Sequence, residues 1–359
     1  MNAEASSCSK WTILTIGGIS IVIPVCETAS KPITARDFGA KGDGVTDDTD
    51  ALRKAFASGR NLDLEGKKYL IDVNKPGALT YYGLIPSDNT IIEGKGAEII
   101  LKPNNLEFYS MVTLMHSKNV KIYDLKLTGD VRYHRGSTGE WGIGFMMLGC
   151  KNCELHRVKA NKMWGDGFYV AGYEKETTEG GGIFDSLARA NRRLGLCVIS
   201  CKSFVVKDCN FEDGGTIKHT FPSYGIDFEP NTNTYDSIDG IKLINIKTKN
   251  NHDGGVLFVP GSLGYSADPN FNPKLYVYME KFISQGDGNK VHWPSSALRF
   301  VEANTYENMY NGFVEIKGFD VTNLKGFFPF HWKRNNDSFI TIKATGLKAD
   351  GDIQADYLY

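Results

Sequence analysis

The sequence predicts an all-β solenoid, in which short parallel strands stack in successive coils. Three observations predict this fold. Apolar strands that begin with glycine recur in the middle of the chain, and their leading glycines follow one another after 23, 28, 30 and 30 residues. A second kind of strand alternates apolar and polar residues, and glycine (39) far exceeds proline (12). One coil cannot bury its own apolar face, so repeats of this length stack along one axis.

The first predicted element is a hairpin in the long apolar run at residues 11–25. Gly17 and Gly18 separate two β-branched runs, which is typical of a tight turn between strands. The run is too short for a membrane span, which needs about 20 residues. A cleaved signal peptide is the alternative, although the preceding residues lack its basic start. We therefore divide the chain into an N-terminal strand or hairpin segment, residues 1–33, and a solenoid domain, residues 34–359.

The next predicted element is a glycine turn that leads into a short helix. Three glycines in residues 37–44 allow backbone conformations that other residues rarely adopt. Asp47 and Asp48 are expected to accept hydrogen bonds from the first amides of a helix near residues 48–58. The apolar stripe of this helix, at spacing i, i+3 and i+4, is formed by Leu52, Ala55 and Phe56.

The body of the solenoid contains two predicted strand types. The glycine-led strands occupy residues 144–148, 167–171, 195–199, 225–229 and 255–259. The alternating strands occupy residues 120–127, 153–158, 204–209, 241–246 and 313–319. Alternation at period two is expected of strands with one buried face. Two polar stretches, residues 130–141 and 173–193, are predicted to be loops on the outer wall, where binding groups often lie.

Residues 37–50 resemble the N-terminal signature of the pectate-lyase-like superfamily of right-handed parallel β-helices. A second pattern, Arg-Arg-x-Gly at residues 192–195 followed by Gly-Ile-Asp-x-Glu-Pro-Asn at residues 225–231, is common in the same proteins. The pattern is closest to that of phage tailspike polysaccharide depolymerases. This resemblance implies a right-handed parallel β-helix whose short N-terminal helix plugs one end. It also implies a polysaccharide substrate and, by analogy with tailspikes, a homotrimer. The chain lacks the motifs of polygalacturonases and alginate epimerases, so neither of their mechanisms is carried over.

The candidate chemistry lies on the outward side of the glycine-led strands. Period two sends the first and third residues after each glycine inward, and the second and fourth outward. Most outward residues are apolar, but strand 225–229 presents Asp227 and Glu229. Residues i and i+2 lie about 6.5–7 Å apart along a strand, near the ~6.5–9.5 Å between the carboxyl groups of inverting glycosidases. An apolar surrounding is expected to raise the pKa of one member and so provide an acid and a base. Solvated or arginine-bound carboxylates are the alternative.

Residues in or just before the neighbouring strands are predicted to extend this site. They are Trp164, Asp166, Tyr169, Arg192, Arg193 and Asp253. Asp166 is predicted to act as acid or base in place of Asp227 or Glu229 if one of them does not. The other residues are predicted to bind substrate. Arginine can hold the carboxylate of an acidic sugar through paired hydrogen bonds, and Tyr169 and Trp164 offer flat apolar faces to sugar rings. For the two arginines, a structural ion pair with the acids is the alternative.

Composition narrows the function further. The 41 basic and 42 acidic residues give a net charge of −1, which provides no support for nucleic-acid binding. The histidine and cysteine spacings suggest no metal site, so no metal or cofactor is predicted, and no membrane insertion is expected. The seven cysteines are expected to be buried, reduced thiols. Folding in a reducing cytosol, followed by work on a phage virion tail or outside the cell, fits this cysteine usage.

Together these observations predict a polysaccharide depolymerase that hydrolyses a bacterial surface polysaccharide, whether capsule, O-antigen or exopolysaccharide. Asp227 and Glu229 would be its acid and base, in an order left open. One alternative is a polysaccharide lyase on the same scaffold, with Tyr169 or His252 as base and an arginine that neutralises a uronate. The other alternative is a non-catalytic carbohydrate-binding or tail-fibre module.

Overall fold

The computed structural model describes residues 10–16, 19–25, 31–77, 81–231, 235–260, 273–289, 295–301, 311–333 and 340–350. The chain divides into two units, Met1–Pro32 and Ile33–Tyr359. The first unit contains an antiparallel hairpin of β1 (Lys10–Ile16) and β2 (Ile19–Val25), in the run where the sequence predicts one. The assignment of separate domains on either side of residue 33 stays a prediction.

The second unit is built almost entirely from strands. In chain order its described strands are β3 (Ile33–Thr34), β4 (Asp43–Asp47), β5 (Leu62–Asp63), β6 (Lys68–Ile71), β7 (Tyr82–Leu84), β8 (Ile91–Glu93), β9 (Glu98–Leu101), β10 (Phe108–Met115), β11 (Lys121–Tyr123), β12 (Lys126–Thr128), β13 (Trp141–Leu148), β14 (Glu154–His156), β15 (Lys159–Asn161), β16 (Phe168–Ala171), β17 (Thr178–Glu179), β18 (Gly182–Phe184), β19 (Leu187–Arg189), β20 (Leu196–Val198), β21 (Cys201–Lys202), β22 (Val205–Lys207), β23 (Asn210–Glu212), β24 (Tyr224–Phe228), β25 (Ile238–Lys249), β26 (Gly254–Phe258), β27 (Lys274–Gln285), β28 (Ser296–Val301), β29 (Asn311–Thr322), β30 (Phe328–Lys333) and β31 (Ile340–Ala349). A 3₁₀ helix spans Ala35–Phe38, and the α-helix α1 spans Thr49–Phe56.

These strands wind into a right-handed parallel β-helix, as predicted. A nine-stranded sheet has the order β7, β10, β13, β16, β20, β24, β26, β28, β30. In the larger sheet, one ladder runs through β8, β11, β14, β18 and β22, and another runs through β9, β12, β15, β19 and β23. Both ladders continue into the long strand β25, which is followed by β27, β29 and β31. A typical coil therefore supplies one strand to the first sheet and two to the second.

The inward side chains of the glycine-led strands form the core in the predicted alternation. Phe145 and Phe168 lie opposite each other on β13 and β16, with ring centroids 5.6 Å apart and planes 11° from parallel. Phe228 and Phe258 on β24 and β26 repeat this stack three coils further on, at 4.5 Å. Parallel coils lie about 4.8 Å apart, which is close to the spacing of stacked rings. Identical side chains at equivalent positions therefore pack face to face along the solenoid.

The leading glycines form a column, here called the glycine column, at the closest approach between coils. It consists of Gly144, Gly167, Gly195, Gly225 and Gly255. A β carbon on Gly144 would lie 2.6 Å from the carbonyl oxygen of Gly167, and one on Gly195 would lie 2.6 Å from that of Gly225. Both distances are too short for a carbon and an oxygen that are not bonded to each other. The glycine that opens each repeat is therefore required by backbone contact between coils.

Helix α1 begins and ends close to its predicted bounds, and Leu52, Ala55 and Phe56 are buried in the main core. Asp47 caps it as predicted, because its Oδ1 accepts a hydrogen bond from the Thr49 amide at 3.0 Å. The capping role predicted for Asp48 is wrong. Its carboxylate instead accepts hydrogen bonds from the amides of Lys41 and Gly42, at 2.7 and 3.0 Å, and so closes the preceding glycine turn.

The outer loop predicted at residues 173–193 is also wrong in its middle part, residues 178–189. The segment contains β17, β18 and β19, which continue the larger sheet. Its glycine run packs against the neighbouring coils, since a β carbon on Gly181 would lie 2.0 Å from the carbonyl oxygen of Cys153. The glycines thus serve tight stacking of coils. Residues 130–140, by contrast, lie between β12 and β13 without strand structure, as predicted.

The cysteines of the described residues are buried free thiols, as expected for a chain that folds under reducing conditions. They are Cys150, Cys153, Cys197, Cys201 and Cys209, while Cys8 and Cys26 lie outside the described residues. Among the described residues, neither helix has the length and apolar character needed to cross a membrane.

Asp287 forms a buried polar centre next to β25 and β27. Its Oδ2 accepts hydrogen bonds from the hydroxyls of Thr248 and Ser284 at 2.5 and 2.6 Å, and its Oδ1 accepts two from Asn251 at 2.9 Å. Burial raises the pKa of Asp287 from 3.8 to about 6, although these hydrogen bonds oppose the rise. A carboxyl whose folded-state pKa is raised contributes stability below its unfolded pKa, and this contribution is lost as the pH rises through the folded pKa.

The unmodified chain is therefore expected to lose stability between about pH 4 and pH 6, as Asp287 loses its proton. Asp287→Asn should not show this loss. At 1.36 kcal/mol per pKa unit, the variant should gain up to roughly 3 kcal/mol at pH 7 and little at pH 4. Denaturant unfolding at both pH values measures the difference. Asp185→Asn, at an exposed carboxylate, is the control. An unchanged pH slope in Asp287→Asn would contradict the expectation.

Candidate active site

The predicted acids lie on the outer face of the nine-stranded sheet. Asp227 on β24 lies opposite Cys197 on β20 and Leu257 on β26, and Cys197 lies opposite Tyr169 on β16. The predicted stacking of these outward residues in register is therefore confirmed. Their face is not open, because apolar members of the same set form a second buried cluster around Asp227. Glu229 continues the ladder past the strand end, with its amide bonded to the carbonyl oxygen of Val198 at 3.1 Å.

Asp227 and Glu229 differ sharply in exposure. Asp227 is 0% exposed, and neither of its carboxyl oxygens has a hydrogen-bond partner among the described residues. The side chain of Glu229 is 39% exposed. The pair thus combines one fully buried carboxyl group with one that solvent can reach.

Arg193 joins the acids of two coils. Its Nη1 lies 3.2 Å from Asp166 Oδ2, and its Nη2 lies 2.8 Å from Glu229 Oε2. The amide of Leu194 donates to the other oxygen of Asp166 at 3.1 Å. Arg193 and Asp166 are both buried. This arrangement is the structural ion pair considered above as the alternative for Arg193, so binding of a substrate carboxylate would require an exchange of these bonds.

Burial sets the pKa values of the acids. It raises the pKa of Asp166 to about 6, against the opposing effects of Arg193 and the Leu194 amide. It raises the pKa of Asp227 well above its ordinary value, and the charge of Glu229 raises it further. Burial alone would lower the pKa of Arg193, but the surrounding carboxylates outweigh it and raise the pKa. Burial thus favours the protonated form of Asp227, next to an Arg193 whose charge the carboxylates stabilise.

Trp164 and Arg192 form a stack with His134. The His134 ring lies 3.9 Å from the indole, nearly parallel to it, and the Arg192 guanidinium carbon lies 3.9 Å from the indole centroid. Trp164 itself is only 2% exposed. The stacking of a sugar predicted for Trp164 therefore has no open face in this structure. Arg192 also donates to the carbonyl oxygen of Gly139 at 2.5 Å.

Asp253 lies in a separate group at the start of β26. Its Oδ2 lies 3.0 Å from His219 Nε2 and accepts from the Ser223 amide at 2.8 Å, while its Oδ1 lies 2.8 Å from His252 Nδ1. Burial alone would raise the pKa of Asp253, but these hydrogen bonds outweigh it and lower the pKa. The structure thus brings Asp166, Arg193, Asp227 and Glu229 together and pairs Asp253 with histidines. The roles predicted for all of these residues stay predictions.

Three further residues near the site were not among the predicted site residues, although two of them lie in the predicted outer loop at residues 130–141. Glu140 Oε2 lies 3.8 Å from Arg193 Nε. Trp141 beside it is 47% exposed and has the open aromatic face that Trp164 lacks. Arg299 on β28 lies opposite Leu257, in the same file of side chains as Asp227. The glycine-led repeat would have predicted Arg299 as an outward residue if it had continued to β28. It does not, because β28 has Ala297 at the position where the glycine-led strands have glycine.

The curated relatives of the chain include phage and bacterial proteins. The chain is 28% identical over 243 residues to an uncharacterized protein of Bacillus subtilis, YclG, covering 61% of this chain and 41% of that protein. It is 27% identical over 161 residues to a capsule-specific depolymerase of Klebsiella phage K64-1, covering 40% of this chain and 20% of the depolymerase. The chain therefore spans less than half of the length of each. No family model matches the chain.

Solved structures with the same fold include two phage tailspikes and an adhesin. A tailspike mutant of E. coli bacteriophage HK620 superimposes with a TM-score of 0.61 at 11% identity, covering 96% of this chain and 62% of the tailspike. The tailspike gp49 of Acinetobacter baumannii bacteriophage Fri1, a capsular polysaccharide depolymerase, gives 0.52 at 12%, covering 98% and 67%. PfbA, a surface adhesin of Streptococcus pneumoniae, gives 0.64 at 12%, covering 90% and 80%. The predicted resemblance to parallel β-helix proteins, tailspikes among them, is confirmed, and at these identities it shows the fold.

Proposed function

We propose that the chain is a polysaccharide depolymerase that hydrolyses glycosidic bonds in a bacterial surface polysaccharide. The observation that carries the proposal is the pairing of buried Asp227 on β24 with accessible Glu229 just past the end of that strand. The capsule-specific depolymerase among the relatives and the capsular polysaccharide depolymerase among the structural neighbours support the substrate class. By the same analogy, we place the protein on a phage virion tail, as a homotrimer.

In the proposed reaction Asp227 is the general acid and Glu229 the general base. Burial raises the pKa of Asp227 well above its ordinary value, which favours the protonated form that a general acid requires. Glu229, oriented by Arg193 at 2.8 Å, is exposed enough to activate a water. Their placement at i and i+2 gives about 6.5–7 Å along the strand, which suits attack by water with inversion. Because Asp227 is fully buried, the groups around it have to move apart before its carboxyl group can contact a sugar oxygen.

The polysaccharide lyase is the less favoured candidate. A lyase needs a base that abstracts a proton next to a uronate. Tyr169 is poorly suited to this role, because burial raises its pKa further above neutrality. The non-catalytic module has support in the fold shared with the PfbA adhesin.

One experiment distinguishes the three candidates. The purified chain is incubated with a panel of capsular, O-antigen and exopolysaccharide preparations, and the products are followed by mass and ultraviolet absorbance. Hydrolysis adds one water for each bond cleaved and leaves the absorbance unchanged. Elimination adds no water and creates an unsaturated, ultraviolet-absorbing sugar, whereas binding without shortening of any polymer would indicate a non-catalytic module.

A further inference from the structure

His219, His252 and Asp253 form a compact group that the proposed hydrolysis does not use. The imidazole rings of His219 and His252 lie with centroids 3.9 Å apart, and each presents a nitrogen to one oxygen of the same carboxylate. We propose that this group binds one divalent transition-metal ion of the zinc class, through His219 Nε2, His252 Nδ1 and the Asp253 carboxylate.

The distances suit a metal of this size. The ligand atoms of the three side chains all lie within 4.8 Å of one another, and the two nitrogen–oxygen distances are 3.0 and 2.8 Å. Ligands bound at about 2.0–2.2 Å in a tetrahedral site lie roughly 3.3 Å apart. The group therefore has to widen by only a few tenths of an ångström at the nitrogen–oxygen contacts to admit an ion, which would replace the hydrogen bonds that now join histidines and carboxylate.

The donor set selects the class of metal. Two imidazole nitrogens and one carboxylate oxygen suit zinc, cobalt, nickel or copper, whereas calcium and magnesium prefer sites made entirely of oxygen. The surroundings already hold the ligands in place. The Asn289 side-chain nitrogen lies 3.0 Å from His252 Nδ1, a contact that a bound ion would replace. The same nitrogen donates to the carbonyl oxygen of His252, and the Ser223 amide donates to Asp253 Oδ2 at 2.8 Å. Such outer contacts orient the ligands of metal sites.

The position of the group gives the ion a defined structural effect. His219 lies in the segment before β24, whereas His252 and Asp253 lie at the start of β26. The segment that carries His219 also contacts Arg192, whose carbonyl oxygen accepts hydrogen bonds from the Thr220 amide at 3.3 Å and the Ser223 hydroxyl at 3.0 Å. A bound ion would link this segment to the start of β26 in the next coil, close to Arg192 and Arg193. Three protein ligands also leave a coordination position open for a water or a ligand oxygen.

The test is direct metal binding by the full chain after treatment with a chelator. Zn²⁺ titration by calorimetry should give one site, Co²⁺ should give a visible absorption band, and saturating Zn²⁺ should raise the melting temperature. His219→Gln and His252→Gln should each weaken Zn²⁺ binding more than about 10-fold, since even the loss of an outer-shell contact costs 10–100-fold. Both should lose the rise in melting temperature.

His116→Gln is the matched control. His116 Nδ1 also lies 3.0 Å from a carboxylate oxygen, that of Glu176, but in the described structure no second histidine contacts this carboxylate. It should bind Zn²⁺ as the unmodified chain does. Circular dichroism without metal checks the folding of each variant, and two separate histidine variants keep the test valid if one fails to fold. No stoichiometric binding by the unmodified chain, or unchanged binding in a folded His219→Gln or His252→Gln, would overturn the proposal. The readout is binding, so the result is independent of depolymerase activity.

Discussion

Asp227→Asn and Glu229→Gln are each expected to lower depolymerase activity at least about 100-fold, the smaller effect typical of losing a general acid or base. The amide of the first variant could not give up the proton that a leaving sugar oxygen needs, and the amide of the second could not take one from water. Both replacements keep the size of the side chain. Activity is measured as the rate of new reducing ends on the polysaccharide that the panel identifies.

The stability of Asp227→Asn distinguishes a functional role from a structural one. Asp227 is buried, has no hydrogen-bond partner among the described residues and has a raised pKa. A neutral amide in its place should therefore leave the melting temperature unchanged or higher, while activity falls. Proteins often keep such unfavourable groups where activity requires them.

Glu179→Gln is the control for this pair, because Glu179 lies on the larger sheet and pairs with Lys202 at the surface. It should leave activity unchanged. If Asp227→Asn and Glu229→Gln are folded and retain full activity on a polymer that the unmodified chain cleaves, the site assignment is wrong. If the unmodified chain cleaves no polymer, the proposed function is what fails.

Arg193→Met is expected to destabilise the fold by about 3–5 kcal/mol, the cost of removing one partner from a buried ion pair. Arg193 is the cation that offsets the burial of Asp166, at 3.2 Å, and it also holds Glu229 at 2.8 Å. Without it, Asp166 keeps its charge unpaired in the interior or takes up a proton. Denaturant unfolding at pH 7 measures the loss.

A second replacement separates the ion pair from the packing of the arginine stem. Asp166→Asn introduced into Arg193→Met should restore part of the lost stability, because no carboxylate is then left unpaired. Arg157→Met is the control, since Arg157 pairs with Asp124 at the surface through two contacts of 2.8 Å and should cost no more than about 1 kcal/mol. Equal costs for Arg193→Met and Arg157→Met would contradict the buried ion pair as a source of stability.

The fold could be predicted because its elements repeat. Strands of four or more residues, such as 225–229, show their alternation in the sequence, and the glycine column marks the same point of each coil. Residues 173–193 could not be predicted in this way. Their strands are two or three residues long, which is too few to display a period, and their glycines look like those of a loop.

The site was less predictable because its contacts join different coils. Asp227 and Glu229 follow from alternation within one strand. Trp164, however, is covered by His134, which lies in the preceding loop and whose position no local pattern indicates. His219 and Asp253 are likewise distant in sequence, and only the stacking of coils brings them to 3.0 Å. Sequence patterns thus located the wall that carries the candidate residues better than they predicted the partners of each side chain.

The glycine column also bears on how this scaffold can change during evolution. The five coils of the column meet through the same close backbone contact, whatever their outward side chains are, whereas β10 and β28 have Met111 and Ala297 at the equivalent position. A whole coil can therefore be duplicated or deleted as a cassette without a new interface having to arise. The residues and loops on the outer wall can be exchanged while the column preserves the spacing of the coils beneath them.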